Sequence, residues 1–278
     1  MSEHPWVAAA QMTSGADVGH NLDVAARLVM RGVKRGASLV VLPENVAFMG
    51  PEEGKLALAE RFEEGEAPRG AALGRAMREV AAASRAWVLW GGVPEAVEGD
   101  AARVFNSAVM VSPEGVVTAR YRKIHLFDVA LADGTVLTES KTVVGGERLS
   151  VIETPVGRVG LSICYDVRFP ELYRGLVEMG ATVLTVPAAF TVTTGRDHWH
   201  VLLRARAIES QCYLVAAAQW GAHGQGRSTY GHAMVVDPWG TVVAECGDGE
   251  GLCMAEVSHP RLAQIRATLP SLLHRKIK

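Results

Sequence analysis

The sequence predicts an α/β protein with two sheets, each covered on its outside by helices, and three observations lead there. Short apolar runs without alternation read as strands buried on both faces, segments with a 3.6-residue period read as helices, and the two kinds alternate along most of the 278 residues. Two strand pairs around compact turns add antiparallel hairpins to these parallel-type units. With 49% apolar and 21% charged residues the chain can bury a sizeable core. Its length fits one large domain, and no repeat, linker or low-complexity stretch divides residues 1–278.

In chain order, WVAAAQ (6–11) is a first strand, and Val18, Leu22, Ala25, Val29 and Val33 mark one face of a helix that Gly36 ends. Residues 38–42 (SLVVL) form a buried strand that Pro43 stops, leaving Glu44 at its C-terminal end. A helix over 70–84 and a strand over 87–90 repeat the pattern. Segments 104–111 and 116–121 then flank the turn residues Pro113, Glu114 and Gly115 as a hairpin. Strands are expected at 149–153, 158–163, 182–186 and 213–217, and helices at 170–179 and 196–209. A second hairpin, 231–236 with 241–245 around Asp-Pro-Trp-Gly, precedes a last strand and a short helix after Pro260.

Charge and cysteine content narrow the function. The formal net charge is −2 and no basic run exists beyond Arg275 to Lys278, so the positive field that phosphate backbones require is missing and no nucleic-acid partner is expected. The opening MSEHPWVAAAQM has no basic n-region and too short an apolar stretch for a signal or membrane span, which makes a cytoplasmic protein with no membrane partner the expectation. Cys164, Cys212, Cys246 and Cys253 are too few for a disulfide scaffold and form no CxxC pair, which leaves room for a reactive thiol. His198 and His200 in HWH lie two apart on a helix and so face different ways; with no Cys/His cluster at zinc spacing, no metal site is expected.

The stretch VGLSICYDVRFPELYRG (159–175) carries the most chemistry. An apolar strand ends in Cys164, and a helix with Pro170 near its first turn follows. This is the logic of a nucleophile elbow, in which sulfur stands at the sheet's C-terminal edge and the helix N-terminus favours the thiolate over its free pKa of about 8.5; the alternative reading of a lone Cys on an apolar strand is a buried structural cysteine. Cys212, beside an apolar run, reads instead as a structural cysteine. Glu44 in LPEN stands at a second strand end, a desolvated place suited to proton transfer, and Lys123 and His125 lie where a hairpin strand runs into the loop of YRKIHLFD.

LPEN, YRKIHLFD and ICYDVRFPELYR resemble, in order and wide spacing, the three signature stretches of the nitrilase superfamily of carbon–nitrogen hydrolases, and the resemblance spans essentially the whole chain. It implies a four-layer αββα sandwich of two mixed sheets flanked by helices. It also implies a triad of Glu44 as base, Lys123 as oxyanion-side cation and Cys164 as nucleophile, with Glu139 in LTESKT as an additional glutamate. No metal or organic cofactor is implied, and a homodimer or larger homo-oligomer is. YDVRFPELYR resembles the Nit branch, which includes ω-amidases and deaminated-glutathione amidases; HWHVLLRARAIESQCYLVAAAQ and STYGHAMVVDPWGTVVAECGDGEGLC are similar to the latter group. His200 departs from a pattern in which many relatives carry glutamate after HW.

The resemblance implies hydrolysis of a small anionic α-keto-acid amide through a thioester, with ammonia as the expected product. A carboxylate-bearing substrate requires a cation, and Arg168, four residues past Cys164, is the candidate; Tyr165, Phe190, Thr194 and His125 are the other expected substrate-binding residues. The alternatives are an aliphatic or carbamoyl amide hydrolase with the same triad, a scaffold that keeps the fold without the reaction, and a nucleotide-binding protein. Gly145-Gly146 lacks both a GxGxxG pattern and a phosphate-binding lysine motif, which ranks the last of these lowest.

Overall fold

The computed structural model describes residues 4–70, 72–130, 136–224 and 226–277. Two large sheets carry it. In the first, strands Trp6–Met12, Ala37–Val41 and Trp87–Val97 run parallel, and Asp100–Val111 and Val117–Arg122 continue the sheet antiparallel. On the other side of Trp6–Met12 lie Gly251–Glu256, antiparallel, and Ala218–Ala222, parallel. The second sheet has a parallel centre of Gly157–Leu161, Val183–Thr185 and Tyr213–Ala216, with antiparallel strands Val151–Thr154, Met234–Val236 and Val242–Glu245 outside it.

Strand alternation sorts the first sheet's side chains into two layers. Val7, Ala9, Leu39, Val41, Leu89, Ala108 and Met110 pack against Val159, Leu161, Val183 and Val215 of the second sheet. Their neighbours Ala8, Ala10, Val40, Leu42, Val88, Trp90, Val109 and Val111 pack against Leu28 and Val29 of the helix Val18–Lys34 and Met77 and Val80 of the helix Leu73–Ser84. A strand with both faces apolar thus joins the inner and outer layers. The helices Pro170–Glu178 and Val192–Ser210 contribute Leu172, Tyr173, Leu176, Trp199 and Leu203 to the core around the second sheet. The order of layers is helix, sheet, sheet, helix, as the sequence predicts.

Boundaries follow local chemistry. Asp17 caps the first helix by accepting from the His20 backbone N–H, and Gly36, at φ +99°, turns the chain out of it. The helix expected over 70–84 starts at Leu73; Ala71 lies outside the described residues. The strand expected to stop at Trp90 continues to Val97, because a bulge between Trp90 and Val93 absorbs Gly91 and Gly92 instead of ending the ladder. Among the described residues no helix is long and apolar enough to cross a membrane.

That bulge positions the site. A Cβ on Gly92, whose φ is +56°, would lie 2.6 Å from Glu44 Cγ and 2.8 Å from the Asn45 nitrogen, and one on Gly91 would collide with the Leu42 and Pro43 carbonyls. The two glycines are therefore the floor on which the turn after Ala37–Val41 rests. Gly92→Ala is expected to cost about 1–3 kcal/mol in backbone strain alone. The same substitution should depress turnover more than stability, because the displaced atoms belong to Glu44; thermal unfolding and kcat measured side by side check this.

Candidate active site

Cys164 sits at a sharp turn. Its φ is +46°, a left-handed conformation rare for a residue with a Cβ, and its N–H donates to the Pro187 carbonyl at 2.9 Å. The strand Gly157–Leu161 leads into a 3-10 turn over Cys164–Arg168, and the α-helix begins only at Pro170. Asp166, wholly buried, ties this turn down. One carboxylate oxygen accepts from the Tyr121 hydroxyl (2.7 Å) and the Ile163 N–H (2.9 Å). The other accepts from the His125 N–H (3.1 Å) and faces His125 Nδ1 at 2.8 Å.

Beside the thiol lies a buried network of charges. Lys123, 2% exposed, donates from Nζ to Glu44 Oε1 at 3.0 Å and to Glu139 Oε2 at 2.8 Å. Asn106 Nδ2 donates to the same two carboxylates, each at 3.0 Å. The Ala189 N–H donates to Glu44 Oε2 at 3.0 Å, and the Phe127 N–H to Glu139 Oε2 at 2.7 Å. Every donor fixes a carboxylate oxygen, so both glutamates are held from several directions.

The electrostatics follow from this crowding. Burial alone would discharge Lys123, but the Glu139 and Glu44 carboxylates overcome it and hold the ammonium well above its usual range. Burial likewise penalises the Glu139 carboxylate, and Lys123, with hydrogen bonds from Phe127 and Asn106, brings its pKa below the ordinary value. For Cys164 burial and then the Glu44 carboxylate push the thiol well above its ordinary pKa, and Lys123 offsets only part of that.

The last point corrects the sequence reading, which places a thiolate at a helix N-terminus. The α-helix starts six residues past the sulfur, so its dipole is remote. Glu44, meanwhile, lines the same cavity, and after burial its carboxylate is the next cause that raises the thiol's pKa. The resting group is a thiol. A raised pKa means that the thiolate is scarce at neutral pH and accumulates only on the alkaline side. The difference in thiolate ultraviolet absorbance between wild type and Cys164→Ala is expected to rise only above the free-cysteine value of about 8.5.

A cavity of about 660 Å³ opens on this cluster, and Glu44, Lys123, Glu139 and Cys164 line its floor. Four of the five expected substrate-binding residues, Tyr165, Arg168, Phe190 and Thr194, also line it. The Arg168 guanidinium lies 5.1 Å from the Phe190 ring centre and 5.8 Å from that of Tyr165, and its Nη1 is 3.3 Å from His198 Nδ1. Thr194 Oγ1 is 2.8 Å from Thr191 Oγ1, which fixes the hydroxyl pair at the start of Val192–Ser210.

His125 is the exception. It stacks on Phe169 with ring centres 3.6 Å apart and turns Nδ1 to Asp166, away from the cavity wall, because a wholly buried carboxylate is a stronger partner than solvent. It supports the turn that carries Cys164 and is not among the residues lining the cavity.

Sequence reasoning missed Asn106 and Asp166. Asp166 follows Cys164 by two residues and could have been singled out as an acid in an apolar turn. Asn106, in the middle of the strand Asp100–Val111, gives no such signal. His200 also finds partners that spacing cannot show. Its Nε2 lies 2.9 Å from Glu245 Oε1 and His232 Nδ1 lies 2.7 Å from the same oxygen, a grouping whose atoms are near enough to hold a metal ion.

Comparison with known proteins agrees with this architecture. The carbon–nitrogen hydrolase family model matches residues 6–267. A deaminated glutathione amidase of Synechocystis is 47% identical over 274 residues, covering 98% of both chains. The human deaminated glutathione amidase is 43% identical over 278 residues, covering 99% of this chain and 83% of that one. The crystal structure of Saccharomyces cerevisiae Nit3, a member of branch 10 of the nitrilase superfamily, superposes with a TM-score of 0.87 at 31% identity, covering 100% of this chain and 98% of that one. A match to the family model over nearly the whole chain, on a fold of two sheets between helices, means that this protein belongs to the carbon–nitrogen hydrolase family of the nitrilase superfamily.

Proposed function

We propose that this carbon–nitrogen hydrolase is a cysteine-dependent amidase that cleaves a small anionic α-keto-acid amide, and that deaminated glutathione is its substrate. The observation that carries the reading is the buried arrangement of Glu44, Lys123 and Cys164 at the floor of one cavity. Glu44 takes the thiol proton as sulfur adds to the amide carbon, so the nucleophile is activated at the moment of attack and not stored as thiolate. The oxyanion meets the Lys123 ammonium and the Tyr165 N–H. The protonated Glu44 delivers its proton to the departing amine, and the same carboxylate then activates the water that cleaves the thioester. Glu139 keeps Lys123 charged and in position.

Arg168 suits the keto acid's carboxylate, since a guanidinium offers a planar fork to two oxygens and the Phe190 ring backs it. Phe190 and Thr194 supply wall and hydroxyl. The leaving group distinguishes the candidate substrates. Deaminated glutathione is a secondary amide and yields cysteinylglycine with α-ketoglutarate, which corrects the ammonia expected from the sequence; only the primary amide α-ketoglutaramate yields ammonia.

The experiment is to assay both products with purified enzyme. Cysteinylglycine release faster than ammonia release supports the assignment; faster ammonia release makes the protein an ω-amidase. Negligible rates on both would defeat the keto-acid assignment.

A homo-oligomer in the cytoplasm completes the reading. Leu269 and Leu273 of the C-terminal LPSLLH are 49% and 84% exposed, as apolar residues awaiting a second copy would be. All four cysteines are free, as in a reducing compartment. Light scattering that returned the mass of one chain would remove the oligomer from this account.

A further inference from the structure

The cavity carries a second cationic patch that the reaction scheme leaves unused. Glu52 accepts from Lys55 Nζ at 2.7 Å through one oxygen and from Arg227 Nη1 at 2.8 Å through the other, and all three side chains line the cavity. Two cations share one carboxylate, so one positive charge is left over. Burial disfavours the Glu52 carboxylate, yet the two cations bring its pKa below the ordinary value. The salt bridge occupies Nη1 of Arg227, and the rest of its fork can address a further anion.

This patch and Arg168 come from different segments of the chain. Arg168 belongs to the turn that carries Cys164, whereas Lys55 follows the Glu44 loop and Arg227 precedes the strand Ser228–Tyr230. The acyl group stays on Cys164 after the first step, which suits the carboxylate held by the nucleophile's own turn. The amine departs, and it needs its own grip only while the amide is intact. A volume of about 660 Å³ is far more than a five-carbon keto-acid amide fills.

We propose that Lys55 and Arg227 form a leaving-group subsite that binds the carboxylate at the far end of a peptide-like amine, so that the cavity grips a dianionic amide at both ends. This rests on the keto-acid amide reading above and adds to it the recognition of the departing half. Glu52 holds the two cations at the wall and keeps the patch from binding anions without regard to shape.

The test compares deaminated glutathione with its C-terminal glycinamide, two substrates that share the scissile bond and differ only in the distal charge. Wild type is expected to favour the free acid by about tenfold or more in kcat/KM, carried by KM, the size of one charge-assisted contact. Arg227→Ala should remove most of that preference and Arg227→Lys should retain part of it. A wild type that treats the two alike, or an Arg227→Ala that keeps the full preference, overturns the subsite and leaves the amidase reading standing. A wild type that hydrolyses neither overturns the substrate reading, and the subsite with it.

Discussion

Cys164→Ala is expected to lower kcat by on the order of 10⁵- to 10⁶-fold, the scale on which removing a covalent nucleophile acts. The fold should survive, because alanine fills the same backbone turn and the anchoring bonds are made elsewhere. Cys164 N donates to Pro187, and Asp166 holds the turn through Tyr121, Ile163 and His125. Loss of activity with a circular dichroism spectrum and Tm near wild type is the expected outcome. Activity within tenfold of wild type would show that sulfur is not the nucleophile.

Glu44→Gln should lower kcat by on the order of 10³- to 10⁴-fold, since one group serves as acid and base in both halves of the reaction. The variant also separates two explanations of the thiol. The Glu44 carboxylate is among the causes that raise the Cys164 pKa, so a neutral glutamine lowers it. The thiol then ionises at a lower pH than in wild type, while turnover falls. If thiolate supply were what limits the reaction, the same substitution would speed it. Alkylation by iodoacetamide across pH, read beside kcat, decides between them: the account predicts a profile displaced to lower pH together with a slower enzyme.

Much of this was legible in the sequence because strand ends are legible. Pro43 after an apolar run puts Glu44 at a sheet edge, and the apolar run before Cys164 does the same for the thiol. Lys123 follows the strand Val117–Arg122 by one residue. Glu44 and Cys164 follow parallel strands of two different sheets and Lys123 an antiparallel strand of the first, so the packing of the sheets, and not the polarity of one, brings the three segments to one cavity.

What could not be read is pairing. Asn106 bridges Glu44 and Glu139 only because the register of Asp100–Val111 brings it there, and no local pattern states that register. The Cys164 pKa was misjudged because a helix dipole was credited to a turn that is still 3-10, while burial, and after it the Glu44 carboxylate 120 residues earlier, raises the thiol. The strand expected over 87–90 runs on because Gly91 and Gly92 form a bulge, and close approach of another segment is what requires glycine there. The His200, His232 and Glu245 grouping is of the same kind, with three partners drawn together by tertiary structure from one helix, one loop and one strand.

The scheme stands on a thioester at Cys164, and hydroxylamine tests it most directly. Added during turnover of deaminated glutathione, it should divert the acyl group to the hydroxamate at the expense of α-ketoglutarate, while cysteinylglycine appears at an undiminished rate. Cysteinylglycine release with no hydroxamate at any hydroxylamine concentration would mean that water attacks the amide directly, and would contradict the account.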